Sequence, residues 1–249
     1  MISTMPVRPS VAVTGASGRI GRAFAEHLAA RGYPLTLIDR PRSGLGALAS
    51  LGEIVELDLS EEPPKDLLAG VEVVVHLAGE ASATAPWESL LPANVVASYH
   101  VARAAIQARC RRLIVASSVH AVSAADRRPV PPDGPVAPGD LYGVTKCFVE
   151  ALAFWCAHEG KMTATAVRIG AYQTVEASHA SDAQWMADVF IAVPDLMALL
   201  ERAMSAEYRF AILHAAAPGP DVLLDTRPTE ELLGWRAQYR FPSIEARPE

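Results

Sequence analysis

This chain has no disulfide framework to read. Its 249 residues include three cysteines, Cys110, Cys147 and Cys156, an odd number with no C-x-x-C pair. That spacing also argues against a zinc site. All three fall in helical or helix-ending segments and read as reduced thiols, with the cytosol as the expected compartment. Positive charge is short as well. Lys and Arg number 22 against 28 Asp and Glu, a formal charge of −6. Nucleic acid is therefore not expected as a partner, because phosphate neutralisation needs a basic face. No run approaches the ~20 apolar residues of a membrane span. Met1 to Ser10 holds one Arg, two prolines and no apolar stretch, so no signal peptide is expected. What the chain has in quantity is hydrophobic residues, 51% of the total, enough for a sizeable core. The length suits one large domain, or a nucleotide-binding domain with a small appended lobe.

The apolar residues alternate between two patterns. Short, nearly continuous runs at 11–15, 35–39, 53–57, 72–77, 112–117 and 164–169 read as buried strands. Between them, 19–31, about 92–109 and 141–158 show helical spacing. Residues 126–139, rich in Pro and Asp, read as loop. Strand and helix patterns alternating through residue 170 predict βαβ units, a parallel sheet and right-handed crossovers. After Gly170 the pattern loosens. Residues 171–183 have no clear period, 194–204 read as helix, 210–213 as a possible strand and 229–234 as a terminal helix. The expected architecture is an α/β doubly wound parallel sheet, residues 1–170 binding a dinucleotide and 171–249 forming a small substrate lobe integrated with it.

Between the first strand and the first helix lies Gly15-Ala-Ser-Gly18-Arg-Ile-Gly21. The G-x-x-G-x-x-G spacing gives a turn that a Cβ would strain, a close backbone approach to a pyrophosphate, and tight helix–strand packing. The free N–H groups at the helix start favour the anion. Asp39 ends the second strand, where a carboxylate accepts ribose hydroxyls and repels a 2′-phosphate, favouring NAD. Arg19, Arg40 and Arg42 keep NADP open, since guanidinium groups hold phosphates. Asp58 after the third strand is placed to meet the adenine edge, or to cap a turn.

Tyr142 and Lys146, four apart at a helix start, share a face. A free phenol has a pKa near 10, and a neighbouring ammonium lowers it. Tyr142 can then exchange a proton with a substrate oxygen while a hydride moves to or from a nicotinamide. Ser117 and Ser118 end the fifth strand at the carboxyl edge, where open α/β sheets place ligands. Ser118 is read as the catalytic hydroxyl that steadies charge on the reacting oxygen, and Ser117 as structural.

With these residues in place, the sequence resembles the extended short-chain dehydrogenase/reductase family, the NAD-dependent epimerases and dehydratases. The resemblance rests on Thr14-Gly-Ala-Ser-Gly-Arg-Ile-Gly21, Asp58-Leu59, His76-Leu-Ala-Gly79, Asn94, Ser117-Ser118, Tyr142-Gly-Val-Thr-Lys146 and Leu232-Leu-Gly-Trp235. It implies a Ser118–Tyr142–Lys146 triad with Asn94 as a helix-bending or relay residue. It implies dinucleotide contacts from Gly15, Ser17, Gly18, Arg19, Ile20, Gly21, Asp39, Arg40, Asp58, Leu59, Leu77, Ala78, Gly79, Tyr142, Lys146 and Ile169. It also implies a homo-oligomer built through the two long helices.

Within the family the chain is most similar to uronate dehydrogenases, which oxidise the anomeric carbon of a sugar acid to a lactone with NAD. The similar stretches are Ala116-Ser-Ser-Val-His120, Asp140-Leu-Tyr-Gly-Val-Thr-Lys-Cys-Phe148 and Val167-Arg-Ile-Gly170. Three departures fall on the sugar-acid side. Val119 stands where that group has Asn, Ala171 where it has Ser, and Ala180 where spacing places the arginine that clamps the carboxylate. Losing a bidentate arginine contact costs about 1.5–3 kcal/mol of binding. A substrate less anionic or more apolar than a uronate is expected, met by Ser82, Ser118, Val119, His120 and Tyr142. For Ser82 and His120, turn and loop roles stay open; Arg168 is read as a substrate contact or a buried ion pair. A nucleotide-sugar epimerase with tightly bound NAD and a non-catalytic dinucleotide sensor are the competing readings.

Overall fold

The apolar runs pair side by side in the computed structural model, which describes residues 8–219 and 221–242. Met1 to Val7 of the N-terminal stretch therefore lie outside the described residues. There are nine strands in this part of the chain: β1 (Val11–Thr14), β2 (Leu35–Asp39), β3 (Glu53–Glu56), β4 (Val73–His76), β5 (Arg112–Ser118), β6 (Thr163–Ile169), β7 (Ala171–Gln173), β8 (Phe190–Ala192) and β9 (Phe210–Ala215). Seven form one sheet in the order β3-β2-β1-β4-β5-β6-β9, every neighbouring pair parallel. β7 and β8 pair apart as a small parallel ribbon. The helices are α1 (Arg19–Ala29), α2 (Trp87–Leu90), α3 (Ala97–Gln107), α4 (Leu141–Glu159), α5 (Val175–Ser178), α6 (Val193–Ala203) and α7 (Arg227–Leu233).

Successive strand residues point to opposite faces, and both faces are covered. Val11, Val13, Val73 and Val75 pack in one cluster with Phe24 and Leu28 of α1 and Leu196 and Leu200 of α6. Ala12, Ile38 and Val74 pack on the other side with Val101 and Ala105 of α3 and Val149 and Ala153 of α4. Burial on both sides is why these strands read as continuous apolar runs and not as alternation.

Four readings change in detail. The helix expected from about residue 92 begins at Trp87 and contains a π-turn, Leu91–Val96, between α2 and α3. The aperiodic stretch 171–183 holds β7 and α5, three and four residues long, too short to show a period. The possible strand at 210–213 runs to Ala215 and forms the edge of the main sheet beside β6. The loop at 126–139 is pinned near its middle, where Val130 N donates to Leu223 O at 2.7 Å and Val130 O accepts from Asp225 N at 2.9 Å. Residues beyond Gly170 thus supply β9 and α6 to the main body.

Candidate active site

The strand order reverses between β1 and β4, and open α/β sheets bind ligands at such a switch point, beyond the strand carboxyl ends. A cleft of ≈810 Å³ opens there, lined by Gly15, Ser17, Gly18, Asp39, Arg40, Asp58, Leu59, Leu77, Ala78 and Gly79 among others. Gly15 has φ +67°, and a Cβ on it would lie 2.6 Å from the Ala78 nitrogen. A methyl on Gly21 would strike the Gly15 carbonyl. Gly18 caps α1 with no side-chain hydrogen bond, so the first N–H groups of that helix have no side-chain partner and are free for an anion. The cradle fits a diphosphate only because it is glycine.

Asp39 is held at the rim. Its Oδ2 accepts from Ser17 N at 2.9 Å and Ser17 Oγ at 2.5 Å, and its Oδ1 from Arg40 N at 2.8 Å. A carboxylate has about four acceptor sites, so one remains for ribose. Asp58 both lines the cleft and closes a turn: Ser60 Oγ and N donate to Oδ1 at 2.7 and 2.9 Å. Those two bonds hold the Asp58 carboxyl below its ordinary range. Arg40 and Arg42 line the cleft, whereas Arg19, Ile20, Gly21 and Ile169 do not. Arg19 turns the other way, its Nη2 donating to Tyr172 O at 3.2 Å and Gln173 Oε1 at 3.0 Å. Its expected place beside a 2′-phosphate is corrected accordingly: neutral acceptors on β7 hold the side chain.

The floor beneath Leu77, Ala78 and Gly79 is a chain of buried hydrogen bonds. Ser98 Oγ donates its one proton to Asn94 O at 2.5 Å. It must therefore accept from His76 Nε2 at 3.0 Å, which leaves His76 Nδ1 to accept from Thr14 Oγ1 at 2.7 Å. Thr14 Oγ1 in turn accepts from Ala78 N at 3.3 Å. Burial, with the Lys146 cation second, pushes the His76 pKa down to about 3, so the imidazole is neutral and the tautomer fixed. Asn94, inside the π-turn, spends its amide on the same region. Oδ1 accepts from Glu80 N at 2.7 Å, and Nδ2 donates to Glu80 O and to Thr145 Oγ1, both at 3.0 Å.

The ends of β5 and α4 bring the expected triad residues Ser118, Tyr142 and Lys146 together. Asp140 caps α4, its Oδ1 accepting from Gly143 N at 2.7 Å. That places Tyr142 and Lys146 in the first two turns, both buried. Lys146 Nζ donates to Ala116 O at 2.8 Å and sits 5.5 Å from the centre of the Tyr142 ring. Burial lowers the Lys146 pKa to about 8. Burial raises that of Tyr142; a hydrogen bond with Ser118 pulls it back, and the Asp140 and Glu80 carboxylates push it further up. Ser118 Oγ also accepts from His120 N at 3.2 Å. His120 Nδ1 pairs with Asp140 Oδ2 at 2.6 Å, and its ring meets Tyr142 edge-on at 5.2 Å. Val119 follows Ser118 and opens a short 3₁₀ turn, Val119–Val122. Ser82 instead closes a turn with Thr84, Oγ to Oγ1 at 3.1 Å. Ser117 faces away, donating to Glu150 Oε1 at 2.6 Å. The same carboxylate takes Arg168 Nε at 2.7 Å and Nη2 at 2.9 Å.

Comparison with known proteins agrees with this geometry. The family model described as "NAD dependent epimerase/dehydratase family" matches residues 11–188. The chain belongs to this family. Among relatives of the family, the L-arabinose 1-dehydrogenase (NAD(P)(+)) of Haloferax volcanii is 33% identical over 174 residues, 64% of this chain and 66% of that protein. The uronate dehydrogenase of Agrobacterium fabrum is 33% identical over 160 residues, 64% of this chain and 59% of that protein. The chain thus matches less than two thirds of the length of either. A mutant uronate dehydrogenase from Agrobacterium tumefaciens, complexed with NAD, superposes with a TM-score of 0.73 at 25% identity, covering 94% of this chain and 86% of that one. NAD is the family's cofactor, and the glycine cradle and Asp39 fit it. Among the described residues, no helix is long and apolar enough to cross a membrane.

Four polar residues have structural roles that the sequence reading did not assign: Thr14, Ser98, Thr145 and Asp140. Asp140 had a signal, since an Asp one residue before a helical run is a strong N-cap. Ser98 and Thr145 had none, because nothing local marks a buried hydroxyl that serves a residue far along the chain.

Proposed function

We propose that the chain is an NAD-dependent dehydrogenase that oxidises the anomeric hydroxyl of an uncharged sugar to a lactone. The observation that carries this is a missing charge. From Ile169 to Glu201 there is no Lys or Arg, Ala180 falls by spacing where the resembled group carries its carboxylate clamp, and both Arg168 edges that reach Glu150 are spent on it. A buried carboxylate or phosphate on the substrate would have no cation to meet from this segment, and unpaired buried charge is costly. A neutral polyol needs only hydroxyl and carbonyl partners. The L-arabinose 1-dehydrogenase among the relatives supports an uncharged sugar as substrate.

In this reading the bound nicotinamide supplies the hydride acceptor. Tyr142 takes the hydroxyl proton as its base. Ser118 holds the same oxygen as it becomes a carbonyl. Lys146 lends positive charge beside the phenol, and Asn94 and His76 keep the floor rigid. His120, oriented by Asp140, is placed to contact the sugar. Asp39 favours NAD, while Arg40 and Arg42 leave some use of NADP. The enzyme is cytoplasmic and assembles through α3 and α4, whose Tyr99, Val144, Phe148 and Trp155 are exposed large hydrophobics.

The test is a panel of L-arabinose, other neutral aldoses, D-galacturonate, D-glucuronate and glucose 6-phosphate against NAD and NADP, followed by NADH or NADPH absorbance. Turnover is expected on a neutral aldose with NAD preferred. Saturating activity on either uronate overturns the reading, and bound NAD with no net NADH formation on any sugar favours an epimerase.

A further inference from the structure

Asp140 stands two residues before Tyr142 and serves two neighbours with two oxygens. Oδ1 accepts from Gly143 N at 2.7 Å and caps α4. Oδ2 meets His120 Nδ1 at 2.6 Å. The contact is built from both sides. A Cβ on Gly143 would strike the His120 carbonyl oxygen, so glycine lets the first turn of α4 press against His120. On the other side, His120 N donates to Ser118 Oγ at 3.2 Å and the ring meets Tyr142 edge-on at 5.2 Å. The imidazole is held between the α4 cap and the two residues proposed to touch the reacting oxygen.

This arrangement fixes a proton. An ionised carboxylate only accepts, so the Nδ1 that meets Oδ2 carries the hydrogen. In the neutral ring Nε2 is then bare, because the protonated imidazole nitrogen is chosen by the bond the other one makes. Nε2 has no partner among the described residues, and the side chain is 34% exposed, so the ring stays reachable. His76 has the opposite tautomer, with Nε2 donating and Nδ1 accepting. Imidazoles of this chain thus take either form, and Asp140 makes the choice at His120.

We propose that Asp140 is a positioning residue that sets substrate specificity through His120. It holds the ring in the Nδ1–H tautomer, so that Nε2 accepts a sugar hydroxyl and turns away a carboxylate oxygen. A hydroxyl has a proton to give, and a carboxylate has none. Two acceptors brought face to face are both left desolvated and unpaired. An element that penalises the competitor is as much a part of specificity as one that favours the substrate. The proposal rests on the neutral-sugar reading for its substrate; the tautomer does not.

Asp140→Asn tests it, because asparagine caps a helix about as well as aspartate. The Gly143 N–H can only donate, so it keeps the amide oxygen and turns the amide NH2 toward His120. Nδ1 must then accept, and the proton moves to Nε2. Nitrogen-15 NMR of the imidazole, assigned by its loss in His120→Gln, is run at about pH 8, above the ordinary imidazole pKa of about 6.5. It is expected to show Nδ1 protonated and Nε2 bare in the wild type, and the reverse in Asp140→Asn. L-Arabinose added to the NADH-loaded wild type is expected to shift the Nε2 resonance. In turnover, kcat/KM for L-arabinose relative to D-galacturonate is expected to fall roughly tenfold or more in Asp140→Asn, chiefly through KM, with NAD affinity kept. In a His120→Gln background the same substitution is expected to leave that ratio unchanged, whereas a purely structural cap would act there too. Nε2 protonated in the wild type overturns the proposal, as does an Nε2 resonance indifferent to the sugar; both are read even if Asp140→Asn does not fold. So does a tautomer that fails to invert in the variant, or a ratio that stays put once it has inverted. Saturating wild-type activity on galacturonate defeats the neutral-sugar reading and the specificity drawn from it, while the imidazole resonances still decide whether Asp140 sets the ring.

Discussion

In the proposed reaction Tyr142 exchanges a proton from a place where burial resists its ionisation. Desolvation raises its pKa, and the Asp140 and Glu80 carboxylates add to that. Against them stands the hydrogen bond with Ser118, and the Lys146 ammonium lies 5.5 Å from the ring centre. Tyr142→Phe removes one oxygen and leaves the ring packed against His120. The expected outcome is a 10²- to 10⁴-fold loss of kcat, the usual worth of a positioned acid or base, with NAD affinity kept. NADH formation and a calorimetric titration with NAD check the two halves separately; unchanged kcat removes the phenol from the reaction. The Tyr142–Lys146 pair was legible in the sequence because four residues on a helix is a fixed distance in space. The direction of Arg19 was not. Its partners lie 153 and 154 residues away, and nothing local separates a guanidinium aimed at a phosphate from one aimed at a carbonyl.

At the scale of elements, strands and long helices were readable because each buries a stripe or a face with its own period. The π-turn at Leu91–Val96 was not, since it differs from an α-turn only in its hydrogen-bond step. Its role is to carry Asn94, whose amide satisfies Glu80 N and O beside Gly79. Asn94→Ala strands those groups and the Thr145 hydroxyl. A buried polar group left without its partner costs about 1–3 kcal/mol, so a Tm drop of about 5 °C is expected. Faster amide exchange at Glu80 is expected with it. Asn94→Asp keeps the acceptor for Glu80 N but buries a charged oxygen against Glu80 O and Thr145 Oγ1, so it should cost at least as much. A Tm unchanged in the alanine variant would mean that water replaces the amide and the turn serves something else. β7 and α5 were unreadable for a simpler reason: three or four residues contain no full period.

The whole molecule shows two large-scale properties, one of surface and one of charge. On α4, Leu141, Val144, Phe148 and Trp155 recur at spacings of three, four and seven and are all exposed, the seam that the proposed homo-oligomer would use. Phe148→Glu should therefore convert a dimer into a monomer in sedimentation, and a wild-type monomer would refute the seam. The charge property is set by two buried histidines whose protonation the folded state disfavours. His76 is pushed to about 3, chiefly by burial, and His214 to about 4 by burial and the Arg168 cation. His214 accepts from Arg168 Nη1 at 3.3 Å, with Nδ1 to Asp225 O at 2.9 Å. Both have folded pKa values below their unfolded value of 6.5. Between pH 6.5 and 4 the unfolded chain binds up to two more protons than the folded one at these sites, so stability rises with pH across that window. Each histidine contributes about 1.4 kcal/mol per pH unit. The stability is fully present above 6.5 and is lost as pH falls; His214 stops contributing near 4 and His76 near 3. Lys146, lowered to about 8 from 10.5, has the same sign and adds a second rise between pH 8 and 10.5. Denaturant melts from pH 4 to 7 measure the slope. His76→Asn should remove about half of it whatever the variant does to absolute stability, because the slope counts protons and not contacts. An unchanged slope between pH 4 and 7 would take His76 out of the acid loss.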